Sequence, residues 1–198
     1  MKGKGTLEKL APFRTSVLFT AEDARKVGVS TALLDYYVKK GHLKRLSRGI
    51  YRDARAKTNL DFRWEDLIVV ALTISEGAIC LLSALAVYEL TEEIPREHWI
   101  AIPHRLRAPS RIGVRSVRMR DMTLGKTKMN FGKTKIPIFD RERTIIDSFR
   151  YLGRETAIKA LKMYFSGAGK QKPDIRKLRD YAKKLRVPIE PYLITVTT

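Results

Sequence analysis

The stretch "FTAEDARKVGVSTALLDYYVKKGHLKRLSRGIYR", Phe19 to Arg52, decides the fold of the N-terminal part of this chain. It reads as two short helices and a hairpin. Thr20 is a good N-cap, Asp23 stands three residues on as a weaker capping-box partner, and Gly28 is a C-terminal stop. Ser30 caps the next helix, which runs to about Lys40 and ends at Gly41. Within it Leu34, Tyr37 and Val38 fall at i, i+3 and i+4 and form an inward stripe. "HLKRLSRGIYRD" follows, with Leu43, Leu46 and Ile50 apolar and a turn at "SRG", where Gly49 is free to take a positive φ. Two helices joined by a tight glycine-containing turn, then a small hairpin, predict a winged helix-turn-helix.

The charges have a place in that arrangement. Thr31, Asp35 and Lys39 share a second face of the capped helix, with Ser30 at its start and Tyr36 and Lys40 beside them. Such a face can meet base edges and phosphates in a major groove. Lys44, Arg45, Arg48 and Arg52 project from the hairpin, and wings of this kind lie along the backbone or dip into the minor groove. The bland alternative is a solvated helix face, as most charged faces are. The whole chain leans the same way. Its 198 residues hold 40 Lys plus Arg against 21 Asp plus Glu, a formal charge of +19 that favours a polyanion as partner. Hydrophobic residues make up 44%, enough for a buried core, so the chain is not of the disordered class.

Downstream, the polar run "RDARAKTNLDFRW" places a boundary near Lys57 to Asp61 and gives two domains, 1–58 and 59–198. Asp61 is the expected cap of a helix with Trp64, Leu67, Ile68, Ala71 and Leu72 on one face. Ser83 could cap a helix from Ala84 to Leu90, approached by a strand-like Ile79 to Leu82. "HWIAIP", "GVRSVRMRDM" and "KTKMNFGKTKIPIFD" read as short strands with turns at Gly125 and Gly132, in a small antiparallel or mixed sheet. Val114, Val117 and Met119 are taken one way along their strand, Arg115, Arg118 and Arg120 mostly the other. With Lys126, Lys128 and Lys133 these arginines make a second basic surface, read either as a site for RNA, DNA or an acidic protein, or as the solvated face of a sheet. Asp140 caps a helix with Ile145, Ile146, Phe149 and Leu152 inward, two further amphipathic helices follow with Pro173 in the first turn of the last, and "PYLITVTT" closes the chain as an apolar tail. The fold class is α+β: an N-terminal winged helix-turn-helix, then a larger α+β domain with a small sheet and C-terminal helices.

Enzyme chemistry finds little support in the residues. Cys80 lies in an apolar run and reads as an inert buried thiol. Asp140, Glu142 and Asp147 sit among arginines at a helix start, where capping and ion pairing explain them better than a metal-dependent nuclease centre. His42, His98 and His104 have no metal-ligand spacing, and no phosphate-binding glycine loop is present. No metal, no cofactor and no catalysis are expected. The N-terminus carries no apolar stretch suited to a signal peptide and no run is long enough to cross a bilayer, so a cytoplasmic, membrane-free protein is expected.

The order of these motifs resembles the AbiEi-family antitoxins of type IV toxin–antitoxin (abortive infection) systems. The quoted stretch resembles their winged helix-turn-helix, with "RGIY" after the basic hairpin as its most telling piece. "AICLLSALAVYELTEEIP", "HWIAIPH" and "FDRERTIIDSFRY" are similar to their second domain, so the resemblance runs from about Phe19 to Tyr192. It implies binding to operator DNA, often inverted repeats that need two copies on the DNA, with repression of the chain's own operon in phage defence. It also implies antitoxin activity against a cognate nucleotidyltransferase-like toxin without a stable complex. Some relatives carry an endonuclease-like extension; that activity is not carried over to the expectation for this sequence. An RNA-binding module using the basic sheet is the alternative from the residues themselves.

Overall fold

A computed structural model describes residues 7–197, apart from Val17, residues 57–61, Ser75, Ser110, Lys133 and residues 168–171. The expected cap Asp61 therefore lies outside the described residues. The chain forms two compact units, Met1–Thr73 with Asn130–Ile136, and Ile74–Met129 with Pro137–Thr198.

The first unit carries a two-residue strand β1 (Phe19–Thr20), helices α1 (Ala21–Lys26) and α2 (Thr31–Lys39), and the hairpin β2 (Leu43–Ser47) and β3 (Ile50–Asp53). Strand β3 is central: β1 pairs it with Phe19 opposite Tyr51, and β2 pairs it with Leu43 opposite Asp53, both antiparallel. The core gathers Leu10, Phe19, Ala24, Val29, Leu34, Tyr37, Leu43 and Tyr51, with Leu7, Phe13 and Val38 partly buried against it. The inward stripe of α2 is thus Leu34 and Tyr37 in full, with Val38 at its margin. Helix α3 (Glu65–Thr73) follows a 3-10 turn and buries five consecutive residues, Leu67 to Ala71, so more than one of its faces is covered.

A five-stranded mixed sheet lies mostly in the second unit, with residues 130–136 of its last two strands counted in the first. Its strands are β4 (Ala78–Ile79), β5 (His98–Pro103), β6 (Val114–Met119), β7 (Lys126–Phe131) and β8 (Thr134–Phe139), in the order β6-β5-β4-β8-β7. Strand β4 pairs antiparallel to β5 and parallel to β8, while β5 and β6 run parallel. Ile100, Ala101 and Ile102 are all buried, the mark of a strand covered on both faces. Helix α4 is Leu81–Val87, starting three residues before the expected Ala84, with Cys80 at its N-cap. Ser83 is not the cap. It lies inside the helix, and its hydroxyl accepts a hydrogen bond from the Trp99 amide at 2.8 Å, which ties helix to sheet. Cys80 is buried, and burial pushes its thiol well above the usual range, as an inert structural role requires.

Four more helices complete the unit: α5 (Arg141–Tyr151), α6 (Arg154–Phe165), α7 (Ile175–Leu185) and α8 (Glu190–Thr197). Asp140 caps α5 as expected, accepting from the Arg143 amide at 2.8 Å. Pro173 precedes α7 instead of entering its first turn, because Asp174 takes the cap by accepting from the Lys177 amide at 2.9 Å. The apolar tail is a helix, seated through buried Leu193, with the Tyr192 ring tilted against Phe149 at 4.8 Å between centroids. No helix among the described residues is long and apolar enough to cross a membrane.

Candidate nucleic-acid interface

Local chemistry fixes the two helices of the first unit. The Thr20 hydroxyl accepts from the Asp23 amide at 3.1 Å and the Asp23 carboxylate accepts from the Thr20 amide at 2.9 Å, a complete capping box. Helix α2 starts at Ser30, whose hydroxyl faces the Leu33 amide at 3.4 Å. It stops where Gly41, at φ +72°, lets the His42 amide reach back to the Tyr37 carbonyl at 2.9 Å. Replacing Thr20 by alanine leaves the Asp23 amide at the α1 start without its acceptor. We expect a loss of about 1 kcal/mol, read by urea unfolding, with DNA affinity unchanged once the protein is folded.

The caps set the rotation of α2, and the core stripe then fixes which side faces outward. Thr31, Asp35, Tyr36, Lys39 and Lys40 are all exposed, with Tyr36 49% exposed. A tyrosine that open on a helix face offers a flat ring and a hydroxyl to a partner. The Lys40 ammonium lies 5.9 Å from its centroid. Asp35 faces the hairpin: its carboxylate stands 3.6 Å from the Arg45 guanidinium, which also lies 5.9 Å from the Tyr51 ring. Helix and hairpin are thereby pinned together, at the modest strength of an exposed pair.

On the hairpin, Lys44 and Arg48 are exposed, and together with Lys39 they have no ion-pair partner among the described residues. Arg48 sits at the turn, where the Gly49 carbonyl accepts from the Ala21 amide at 2.8 Å and fixes the tip against the start of α1. An extra residue at Leu46 shifts the register between Arg45 and Ser47. Arg52 is placed differently from its neighbours. It pairs with Lys44 across the strands, yet its guanidinium bonds Glu65 at 2.6 Å and its side chain is only 18% exposed. Arg52 holds the hairpin to the start of α3. A sequence signal for this is Glu65, an acidic residue in the first turn of α3.

The second basic set is divided by the fold. Strand β6 and strand β7 end the sheet on opposite sides, with three strands between them. At about 4.8 Å per strand they lie on the order of 19 Å apart. Lys126 and Lys128 are exposed on β7, with the Lys126 ammonium donating to the Glu76 carbonyl at 3.0 Å. Lys133 lies outside the described residues. On β6 the period of two, unbroken in its register with β5, places Arg115 on the face of Val117 and Met119, and Arg118 and Arg120 on the other. The expected split of apolar one way and basic the other therefore does not hold, because Arg115 and Arg118 are an odd number of residues apart. Arg115 lies 4.6 Å over the Trp99 ring and 3.5 Å from Glu97. Arg118 donates to the Leu106 carbonyl at 3.3 Å, and Arg120 is exposed.

The acidic cluster at α5 is structural in its geometry. Asp140 is a cap, and Lys177 lies 3.0 Å from both Asp140 and Glu142. Burial opposes the charge on Lys177, but hydrogen bonds to the two carboxylates prevail and hold its pKa above the ordinary lysine range. Glu142 also accepts from the Tyr164 hydroxyl at 2.6 Å. Carboxylates and a lysine do converge here, with the one Lys177 ammonium bonding both carboxylates. Among the described residues no group of three His, Cys, Asp or Glu side chains is placed to hold a metal.

The first unit thus presents two capped helices and a hairpin with an exposed cationic face, within an α+β chain. Residues 6–52 match the family model described as "Transcriptional regulator, AbiEi antitoxin", so the resemblance read from the motifs holds over the helices and wing. The second unit lies outside the matched residues. No curated protein matches the chain.

Proposed function

We propose that the chain is a DNA-binding autorepressor that also serves as the antitoxin of a type IV toxin–antitoxin system. Residues 1–58 bind operator duplex, with two copies meeting on inverted repeats, and residues 59–198 carry the antitoxin role against a nucleotidyltransferase-like toxin without a stable complex. The protein works in the cytoplasm, in phage defence, without catalysis. One observation carries the DNA reading: Lys39 on the outer face of α2, and Lys44 and Arg48 on the hairpin, stand exposed in one small unit with no ion-pair partner among the described residues. Arg45 and Asp35 set the angle between reader and clamp, and Arg52 braces the hairpin from behind.

The test is fluorescence anisotropy on the duplex upstream of the gene against a scrambled duplex, across a salt series. The native duplex is expected to keep an advantage on the order of a thousandfold at physiological salt. Replacing Lys39 and Arg48 together by alanine is expected to weaken binding about ten- to a hundredfold with the fold intact. Coincident curves for the two duplexes, or an unchanged affinity in the double variant, would sink the repressor reading. The RNA alternative draws on the exposed Arg118 and Arg120. It is weakened by the strand order, which separates them from Lys126 and Lys128. A preference for structured RNA over duplex at matched salt would revive it.

A further inference from the structure

The first unit contains a cavity of about 280 Å³ that is separate from the exposed face of α2, lined by Leu7, Arg14, His42, Asp53 and Arg55. Three segments distant in sequence build it. Arg14 follows the 3-10 turn Ala11–Phe13, His42 stands just past the end of α2, and Asp53 and Arg55 leave β3 at the base of the hairpin. The backbone around it is fixed: the Ala54 amide donates to the His42 carbonyl at 2.9 Å, and the Arg55 amide donates to the Asp53 carboxylate at 2.8 Å. The His42 ring is steadied edge-on to Tyr37 at 6.1 Å.

Its chemistry is cationic. Two arginines and a histidine line it beside one aspartate, and neither Arg14 nor Arg55 has an ion-pair partner among the described residues. Guanidinium forks match phosphate oxygens in pairs, which a lysine does not do. The volume lies just below the roughly 300–1,000 Å³ typical of small-molecule sites, which suits one phosphate group better than a whole cofactor. Asp53 spends one oxygen on the Arg55 amide, which moderates its repulsion of an anion.

We propose that this cleft holds a phosphate group, contributed either by a nucleic-acid backbone or by a free phosphorylated small molecule. Arg14 and Arg55 grip the phosphate oxygens, and the His42 imidazole supplies a third donor. The site extends the cationic footprint of the unit to the base of the hairpin, at the opposite end from Arg48. It does not depend on operator recognition.

Two measurements on the full chain test it. In the first, inorganic phosphate is titrated while 15N–1H spectra are recorded, with chloride at matched ionic strength as control. Saturable shifts at Arg14, His42 and Arg55 that vanish in the Arg14→Ala/Arg55→Ala variant are expected. In the second, the same variant is compared with wild type in duplex binding across salt. Each lost phosphate contact lowers the salt slope by about 0.9, equally for native and scrambled duplex. A reduced slope identifies the backbone as the source; phosphate-specific shifts with an unchanged slope identify a free phosphate. The proposal fails if phosphate and chloride act alike and the slope does not change. If Lys39→Ala/Arg48→Ala still weakens duplex binding in that case, the repressor reading survives the loss of this site. Circular dichroism of the variant checks that its fold is kept.

Discussion

Replacing Arg143 by alanine is expected to destabilise the second unit by about 3–5 kcal/mol, the cost of leaving a buried charge network without one partner. Arg143 is the largest fully buried side chain of the protein's described residues, and every part of its guanidinium is used. Nε donates to the Asp147 carboxylate at 2.7 Å, one terminal nitrogen donates to the Leu124 carbonyl at 2.8 Å and the other to the Asp121 carbonyl at 3.1 Å. Its plane lies 4.6 Å from the Phe139 ring. One side chain thus joins α5, the loop before β7 and the end of β8. With total stabilities of about 5–15 kcal/mol for a domain, the loss would leave little margin. Arg143→Lys should be nearly as damaging, since an ammonium cannot reach three acceptors in a fork. Arg143→Met with Asp147→Leu should recover much of the loss, because it removes both charges.

The same variant has a pH signature. Burial pushes the Asp147 carboxyl above its usual range, and Arg143 and Arg150 only partly pull it back. A carboxyl whose folded pKa lies above its unfolded value favours the folded state more as pH falls through that window. Without Arg143 the window widens upward. The gap in stability between wild type and Arg143→Ala should therefore shrink as pH is lowered from 7 toward about 4, where the unfolded aspartate also takes up its proton. Urea unfolding at a series of pH values reads this. A cost under about 1 kcal/mol at pH 7, or a gap that widens on acidification, would show that the network does not hold the unit together.

Gly125→Ala is the second large effect, and it acts on the same network from the backbone. Gly125 has φ +68°, and a Cβ there would stand 2.7 Å from the Arg143 Cβ, 3.0 Å from the Asp140 carboxylate and 3.1 Å from the Tyr181 ring. The left-handed backbone costs alanine about 1–2 kcal/mol, and forcing a methyl into a filled space adds about 1–3 kcal/mol. Gly113 is the control. It has φ +73° but nothing within 4 Å of a built Cβ, so Gly113→Ala should show the backbone cost alone. Equal losses in the two variants would mean that packing around Arg143 is looser than these distances require.

The two units differ in how much of them the sequence could disclose. In the first, the signals are local. Thr20 and Asp23, Ser30, Gly28 and Gly41 act within one turn of themselves, so a capping box and two helix stops are legible from residue spacing alone. The stripe Leu34, Tyr37 and Val38 then fixes which face of α2 is left for Thr31, Asp35, Tyr36, Lys39 and Lys40. Arg52 escaped that logic because its partner, Glu65, comes thirteen residues later, beyond a stretch that reads as linker. The phosphate cleft escaped it too, since Arg14, His42 and Arg55 meet only when three segments pack.

In the second unit, composition announced strands and a basic surface, but strand order is a non-local property. Nothing in "GVRSVRMRDM" or "KTKMNFGKTK" says that β6 and β7 end on opposite sides of a sheet, and that order alone divides the cations. The helix "DRERTIIDSF" shows the same limit. Its eight residues from Arg141 to Ser148 are all buried, although half of the first six are charged. Amphipathic reading assigns such residues to solvent, because burying a charge is costly. The fold meets that cost with partners from β8, α6 and α7 and from the Asp121–Leu124 loop, through Phe139, Tyr164, Lys177 and two backbone carbonyls. By itself the sequence determined the caps Thr20, Ser30 and Asp140, the α+β class and the charge that favours a polyanion, since each depends on neighbours within a few residues or on composition. Only the tertiary structure decided which cations stand free and which are held as structural partners, because ion pairing and burial are set by residues that the chain brings together from far apart.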